Sequence, residues 1–232
     1  MSAPAAAKHR PKTPREVELT DRLRSAIANG DFQPNERLVE ESVADFLGTN
    51  RATVRVAFAR LEQDGLIVRE RNRGARVRLV SERDAVEIAE ARAALEPVIA
   101  RHAARNATRE DIAGLRLVLK DLRAAWKAGD VAGYGSLNAQ LHHAIVQIAK
   151  QETVGRLLAQ LRSQSITFQY RAVMLPGRMS RSFAEHSELV KAIAAHDEAA
   201  AERAMREHLG AASDALHDSI AATRSARQGY AG

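Results

Sequence analysis

The stretch Asn50–Leu61 reads as a helix with two different faces. Val54, Phe58 and Leu61 recur at core spacing, whereas Arg51 and Arg55 lie four residues apart and share another face. Directly after it come five arginines, Arg69, Arg71, Arg73, Arg76 and Arg78. They are woven through two short branched apolar stretches, Leu66-Ile67-Val68 and Val77-Arg78-Leu79-Val80, with Asn72-Arg73-Gly74 between them. This second pattern predicts a β-hairpin. A helix that packs on one side and carries arginine on the other, followed by a basic hairpin, suits DNA: arginines on the hairpin meet phosphate or the minor groove, and those on the helix meet base edges or phosphates. The alternative is a solvated basic surface, and the clustering of charge on helix plus hairpin argues against it.

The charge is local. Residues 51 to 78 hold eight arginines against Glu62, Asp64 and Glu70, a +5 balance out of +6 for the whole chain. With 232 residues the chain suits two ordinary domains. The absence of cysteine excludes disulfides and thiolate metal sites and fits a reducing cytoplasm. Met1 to Pro14 is rich in Ala, Pro and basic residues, lacks the apolar core of a signal peptide, and is expected to be a disordered tail; 223–232 is expected to be loose. No apolar run reaches membrane-span length, so a cytoplasmic protein without membrane contact is expected.

From Arg15 to Asn29, Val17, Leu19, Leu23 and Ile27 fall near helical spacing, with Gly30 as a stop. Asp31 to Leu38 reads as a turn-forming connection, Glu40 to Leu47 as a short helix closed by Gly48, and Asn50 as the cap of a third helix running to about Asp64. Helix, turn, helix, tight turn, helix and hairpin make a winged helix-turn-helix over 15–80. From Ser81, a cap with Asp84 three residues on, every segment reads helical, and the second domain, 84–222, is all-α. Its helices are expected from Ser81 onward across Pro97 with a kink, then from caps at Thr108 and Asp130, then over about 153–173, 180–195 and 197–222.

The residues of the first domain resemble the GntR family of bacterial transcription regulators. The resemblance lies in the order and spacing of Ala28-Asn29-Gly30-Asp31-Phe32-Gln33-Pro34, Leu38-Val39-Glu40, Val43-Ala44-Asp45-Phe46-Leu47-Gly48, Arg51-Ala52-Thr53-Val54-Arg55 and Leu61-Glu62-Gln63-Asp64-Gly65-Leu66-Ile67. It implies recognition-helix arginines at Arg51 and Arg55, a polar contact at Thr53 and a wing-tip glycine at Gly74, with Arg73 beside it on the wing. Departures are Asn50 for the usual serine, Ala52 and Thr53 for Thr-Pro, Val56 for glutamate, and Asn35 for a glycine. A DNA contact that some members make from the start of helix two falls here on Glu41, whose charge would repel phosphate.

Three histidines sit in the second domain within Leu137-Asn138-Ala139-Gln140-Leu141-His142, Glu185-His186-Ser187-Glu188-Leu189 and Met205-Arg206-Glu207-His208-Leu209. Asn138 and His142, four apart, share a helix face. Imidazoles and an oxygen donor from three helices could hold a first-row divalent metal in a bundle interior, although a helical histidine is more often a surface or packing residue.

With Glu90-Ala91-Arg92-Ala93-Ala94-Leu95-Glu96, these segments resemble the FadR-type C-terminal ligand-binding domain, the FCD domain, in its metal-binding branch. The resemblance implies an antiparallel bundle of six or seven helices, giving a mainly α chain with an N-terminal winged helix-turn-helix. It also implies metal ligands at Asn138, His142, His186 and His208. The ion would be zinc, with nickel, manganese or iron as alternatives. Asn138 stands for the commoner aspartate and Leu141 for a phenylalanine; His102, His143, His196 and His217 match no ligand and are assigned to surface or packing. Three imidazoles and an amide leave a divalent ion its full charge, and Arg92, if it faces the same cavity, adds another; a small carboxylate effector would fit there.

The expectation is therefore a homodimeric regulator, a repressor, that binds a pseudopalindromic double-stranded operator under control of a metal-assisted organic-acid effector. A metal-dependent enzyme acting on small acids lacks a His-Glu-x-x-His motif and an evident general base, and leaves the DNA head unexplained. An architectural DNA-binding protein would need no effector.

Overall fold

The structure is a computed structural model and describes residues 14–29, 31–70, 74–173 and 175–229. The chain divides into two compact units, 1–79 and 80–232. The expected tail over 1–14 lies outside the described residues except for Pro14, which opens the first helix at a position where its missing N–H costs nothing. The proposed stop at Gly30 also lies outside them.

In the first unit, helices α1 (Pro14–Asn29), α2 (Glu40–Leu47) and α3 (Arg51–Gln63) pack on a sheet of three short strands. Their shared core includes Leu19, Leu23, Val43, Leu47, Val54, Phe58 and Leu61. Gly48 closes α2 in the left-handed conformation, and the Asn50 side chain accepts the Thr53 N–H to cap α3. Strands β2 (Ile67–Glu70) and β3 (Gly74–Val77) form an antiparallel pair with Ile67 opposite Val77 and Glu70 opposite Gly74. The second strand thus ends where the sequence pattern placed its start: Leu79 is 65% exposed, so its apolar character serves no core. A further strand, β1 (Arg37–Leu38), pairs with β3 inside the stretch read as a turn, giving the order β1-β3-β2. Two residues are too few for an alternating pattern to register. Asn35 has a φ of 67°, which explains why an asparagine can stand at a glycine position: its short polar side chain tolerates the left-handed region.

The second unit is a bundle of six helices: α4 (Glu82–Asn106), α5 (Arg109–Ala128), α6 (Val131–Ala149), α7 (Glu152–Val173), α8 (Arg178–Ala194) and α9 (Glu198–Gly229). Ser81 with Asp84 and Thr108 with Asp111 form reciprocal capping boxes, and Asp130 caps α6. Helix α4 passes through Pro97. Helix α9 continues to Gly229, so the expected loose segment from 223 is helical for most of its length. The core joins Ile99, Leu115, Leu122, Leu141, Ile145, Leu189 and Ile193. Embedded beside it are polar groups: Glu96, His142, Arg178, Ser182, His186 and His208 are all buried.

Candidate metal centre and DNA-binding surface

Helical periodicity explains how the polar group assembles. On α6, Tyr134, Asn138 and His142 follow one another at intervals of four, and on α8 so do Arg178, Ser182 and His186, each series forming one stripe. Helix α9 adds His208, α4 adds Arg92 and Glu96, and α7 adds Arg162.

The three imidazoles converge through the same atom. His142 Nε2 lies 3.2 Å from His208 Nε2 and 3.4 Å from His186 Nε2, and the last two are 3.2 Å apart. Three corners of a tetrahedron built on metal–nitrogen bonds of about 2.0–2.1 Å are separated by about 3.3–3.4 Å.

Behind two of the rings stands a carboxylate. His142 Nδ1 donates to Glu96 Oε2 at 2.9 Å and His208 Nδ1 to Glu185 Oε2 at 2.7 Å, while His186 Nδ1 faces the Ser182 hydroxyl at 3.5 Å. An ionised carboxylate only accepts, so the proton of each of these two rings is on Nδ1 and the Nε2 lone pair points inward. Lone pairs facing one another at this distance repel unless a cation lies among them. That donor set therefore fits a divalent ion, with His142, His186 and His208 as its protein ligands.

The electrostatics agree. Burial lowers the His142 imidazole to about 4 against the pull of Glu96, and burial holds His186 well below its usual value, with His208, His142 and Arg178 acting in the same direction. Both rings are thus neutral at neutral pH and able to donate to a metal. Burial alone would raise the Glu96 carboxyl, but Arg92, Arg162 and His142 together hold it well below the carboxylate range. Arg92 Nε donates to Glu96 at 2.8 Å and Arg162 Nη2 at 2.6 Å. Arg178 grips Glu185 with two hydrogen bonds, of 2.8 and 2.9 Å.

Arg92 accordingly stands behind the site, ion-paired to the carboxylate that orients His142, instead of adding a bare positive charge. Three guanidiniums against two carboxylates still leave one positive charge in excess. Asn138, half-buried, lies one turn before His142 on the same face. Sequence reasoning missed Glu96, Arg162, Arg178, Glu185 and Ser182 as parts of this site. The buried stripe on α8 was a signal for two of them, whereas the meeting of α7 with α4 had none. Tyr134 was missed as well. It is fully buried, with its hydroxyl beside Ser182 of the α8 stripe. His143, His196 and His217 are exposed and His102 half-buried, and none belongs to the cluster of His142, His186 and His208.

In the first unit the Arg51 and Arg55 side chains are 60% and 58% exposed, while Val54, Phe58 and Leu61 of the same helix are buried. Thr53 spends its backbone N–H and its hydroxyl on Asn50 Oδ1, at 3.0 and 3.2 Å, so it helps to begin the helix. Gly74 adopts a φ of 85° at the start of β3. Arg73 lies outside the described residues. Arg69 faces Glu62 at 3.8 Å and Arg76 donates to the Asn35 carbonyl at 3.2 Å.

A winged helix-turn-helix with an arginine-bearing third helix, joined to a helical domain with a buried histidine cluster, defines a two-domain DNA-binding regulator. The chain belongs to the bacterial regulatory proteins of the gntR family, matched over residues 16–77, and carries their FCD domain, matched over 87–211. It is 28% identical over 210 residues to a probable D-xylose utilization operon transcriptional repressor of Paenarthrobacter nicotinovorans, covering 89% of this chain and 91% of that one. It is 25% identical over 206 residues to the HTH-type transcriptional repressor RspR of Escherichia coli K12, covering 89% and 90%. Among solved structures, E. coli McbR/YncC superposes with a TM-score of 0.79 at 21% identity, over 90% of this chain and all of that one, showing the shared fold. A putative GntR regulator of Rhodococcus sp. RHA1 gives 0.68 at 25% identity, over 90% and 99%. The Paenarthrobacter, RspR and Rhodococcus relatives are named as transcriptional repressors or regulators. No helix among the described residues is long and apolar enough to cross a membrane.

Proposed function

We propose that this regulator acts as a homodimeric repressor whose operator binding is controlled by a small carboxylic acid held beside a divalent metal. The observation that carries this reading is the triangle of inward-facing Nε2 atoms, backed by carboxylates that are themselves clamped by arginine. Three neutral ligands leave a bound first-row ion open positions and most of its charge, and such an ion supplies Lewis acidity that attracts an oxyanion. Asn138 supplies a further oxygen donor from the His142 face. Zinc suits the nitrogen-rich set; nickel, manganese and iron remain within its range.

Control follows from linkage: an effector shifts operator binding only by the difference of its affinities for the two arrangements of the paired DNA heads. A two-fold dimer presents two equivalent heads, so the operator is a pseudopalindrome with Arg51 and Arg55 reading each half-site and the wing, with Gly74 and Arg73, on the backbone or minor groove. The test is a thermal-shift screen of small mono- and dicarboxylates against metal-stripped and metal-loaded protein, followed by gel shift with duplexes selected from a random library. A stabilising acid that requires metal and releases the duplex supports the reading; acids that act equally without metal overturn it.

A further inference from the structure

The carboxylate of Glu40, the first residue of α2, reaches across to the recognition helix. Its Oε1 and Oε2 accept from Arg55 Nε at 2.9 and 2.8 Å, and its Oε2 lies 3.5 Å from Arg51 Nη2. Both arginines are more than half exposed, and the glutamate is 25% exposed. An ion pair in such a setting contributes little to stability. A negative charge on a surface that must approach phosphates also opposes binding. Stability and affinity therefore both fail to explain why it is there, whereas its geometry has a use.

We infer that Glu40 sets the sequence specificity of the recognition helix by holding Arg55 through Nε, so that its terminal nitrogens are presented to a base edge and not to phosphate. Both contacts to Arg55 fall on Nε, and Nη1 and Nη2 have no partner among the described residues. Those two nitrogens are the pair that meets guanine O6 and N7 end-on. An unrestrained arginine on the same helix would pair with any phosphate in reach. The carboxylate also cancels one of the two positive charges of Arg51 and Arg55, weakening attraction to DNA of every sequence. Glu40 is thus a positioning residue, acting on discrimination through Arg55. Neighbouring Glu41 has no contact to either arginine among the described residues.

This inference rests on the DNA-binding reading, and the experiment separates the two. Wild-type protein is used to select duplexes from a random-sequence library, and the affinities of wild type, Glu40→Gln and Glu40→Ala are measured for the selected duplex and for the unselected random duplex. The unselected duplex binds more tightly to both variants, with a salt slope steeper by about one charge, and the preference for the selected duplex falls at least about tenfold. The loss is larger for alanine, because the glutamine amide oxygen can still accept from Nε. In an Arg55→Ala background the Glu40 substitutions no longer change the preference. Circular dichroism and the thermal midpoint establish that each variant is folded, and the near-isosteric glutamine variant carries the test if alanine is not. A preference within twofold of wild type in folded Glu40→Gln and Glu40→Ala overturns the inference alone. A wild-type protein that selects no duplex overturns the DNA-binding reading and the inference with it.

Discussion

Glu185 Oε2 accepts the Nδ1 proton of His208 at 2.7 Å, although in sequence Glu185 adjoins a different histidine of the cluster, His186. The orienting carboxylate of one histidine therefore travels on the same helix as the next, so α8 and α9 are tied together through the site. Glu96 does the same between α4 and α6 through His142.

Replacing either carboxylate by its amide leaves the shape and removes the charge that fixes ring orientation and raises ligand basicity. Glu185→Gln and Glu96→Gln are expected to weaken metal binding by about 10–100-fold with the helical content unchanged. Competition titration against a chelating dye measures this, and wild-type affinity in both variants would show the carboxylates to be packing only. Glu96→Gln also leaves Arg92 and Arg162 without their shared anion, so it lowers the thermal midpoint more than Glu185→Gln does.

The pH response of metal-stripped protein follows from His142. Its folded value is lowered to about 4, below the ordinary unfolded value near 6.5. The unfolded chain thus binds a proton first as pH falls, so the stability due to the neutral ring is present above about 6.5 and is lost progressively towards about 4. His186 shifts in the same direction and adds to the slope. Denaturant titrations across this window should show falling stability in wild type and a shallower fall in His142→Gln; equal slopes would contradict the assignment.

Gly74→Val probes the wing. A Cβ at this position would come no closer than 3.7 Å to its neighbours, to the Leu38 carbonyl, so space is not the obstacle; the φ of 85° is. A branched residue in this region costs on the order of 1–3 kcal/mol. The variant should lose about that much stability in chemical denaturation and bind selected and random duplexes more weakly by similar factors, since wing contacts to phosphate carry little sequence information. A much larger loss on the selected duplex alone would assign the wing to base readout.

The parts of the fold legible in the sequence are those where local chemistry decides. Asn50, Ser81, Thr108 and Asp130 cap helices because their side-chain oxygens can reach an orphan N–H, and that needs no tertiary information. The convergence of His142, His186 and His208 was readable only through resemblance, because nothing in spacing alone says that three helices aim at one point. Arg162, far from Glu96 in sequence, became visible only when α7 was laid against α4. The strand β1 escaped because its two residues are recruited by β3 and have no pattern of their own.

Asn138 gives the sharpest test of the candidate site, because one substitution moves two affinities in opposite directions. It lies one turn before His142, where an oxygen donor would join the three Nε2 atoms, and as an amide it adds no charge. Asn138→Asp supplies an anionic donor and should tighten metal binding, while cancelling part of the positive charge that attracts a carboxylate effector, which should then bind more weakly. His208→Ala removes one of three strong donors and should abolish both the metal and the thermal shift that metal produces. Calorimetry of metal binding, and of acid binding to metal-loaded protein, reads both signs. Metal affinity unchanged in Asn138→Asp would remove Asn138 from the ligand set, and metal retained at full affinity by His208→Ala would leave the three histidines as packing residues.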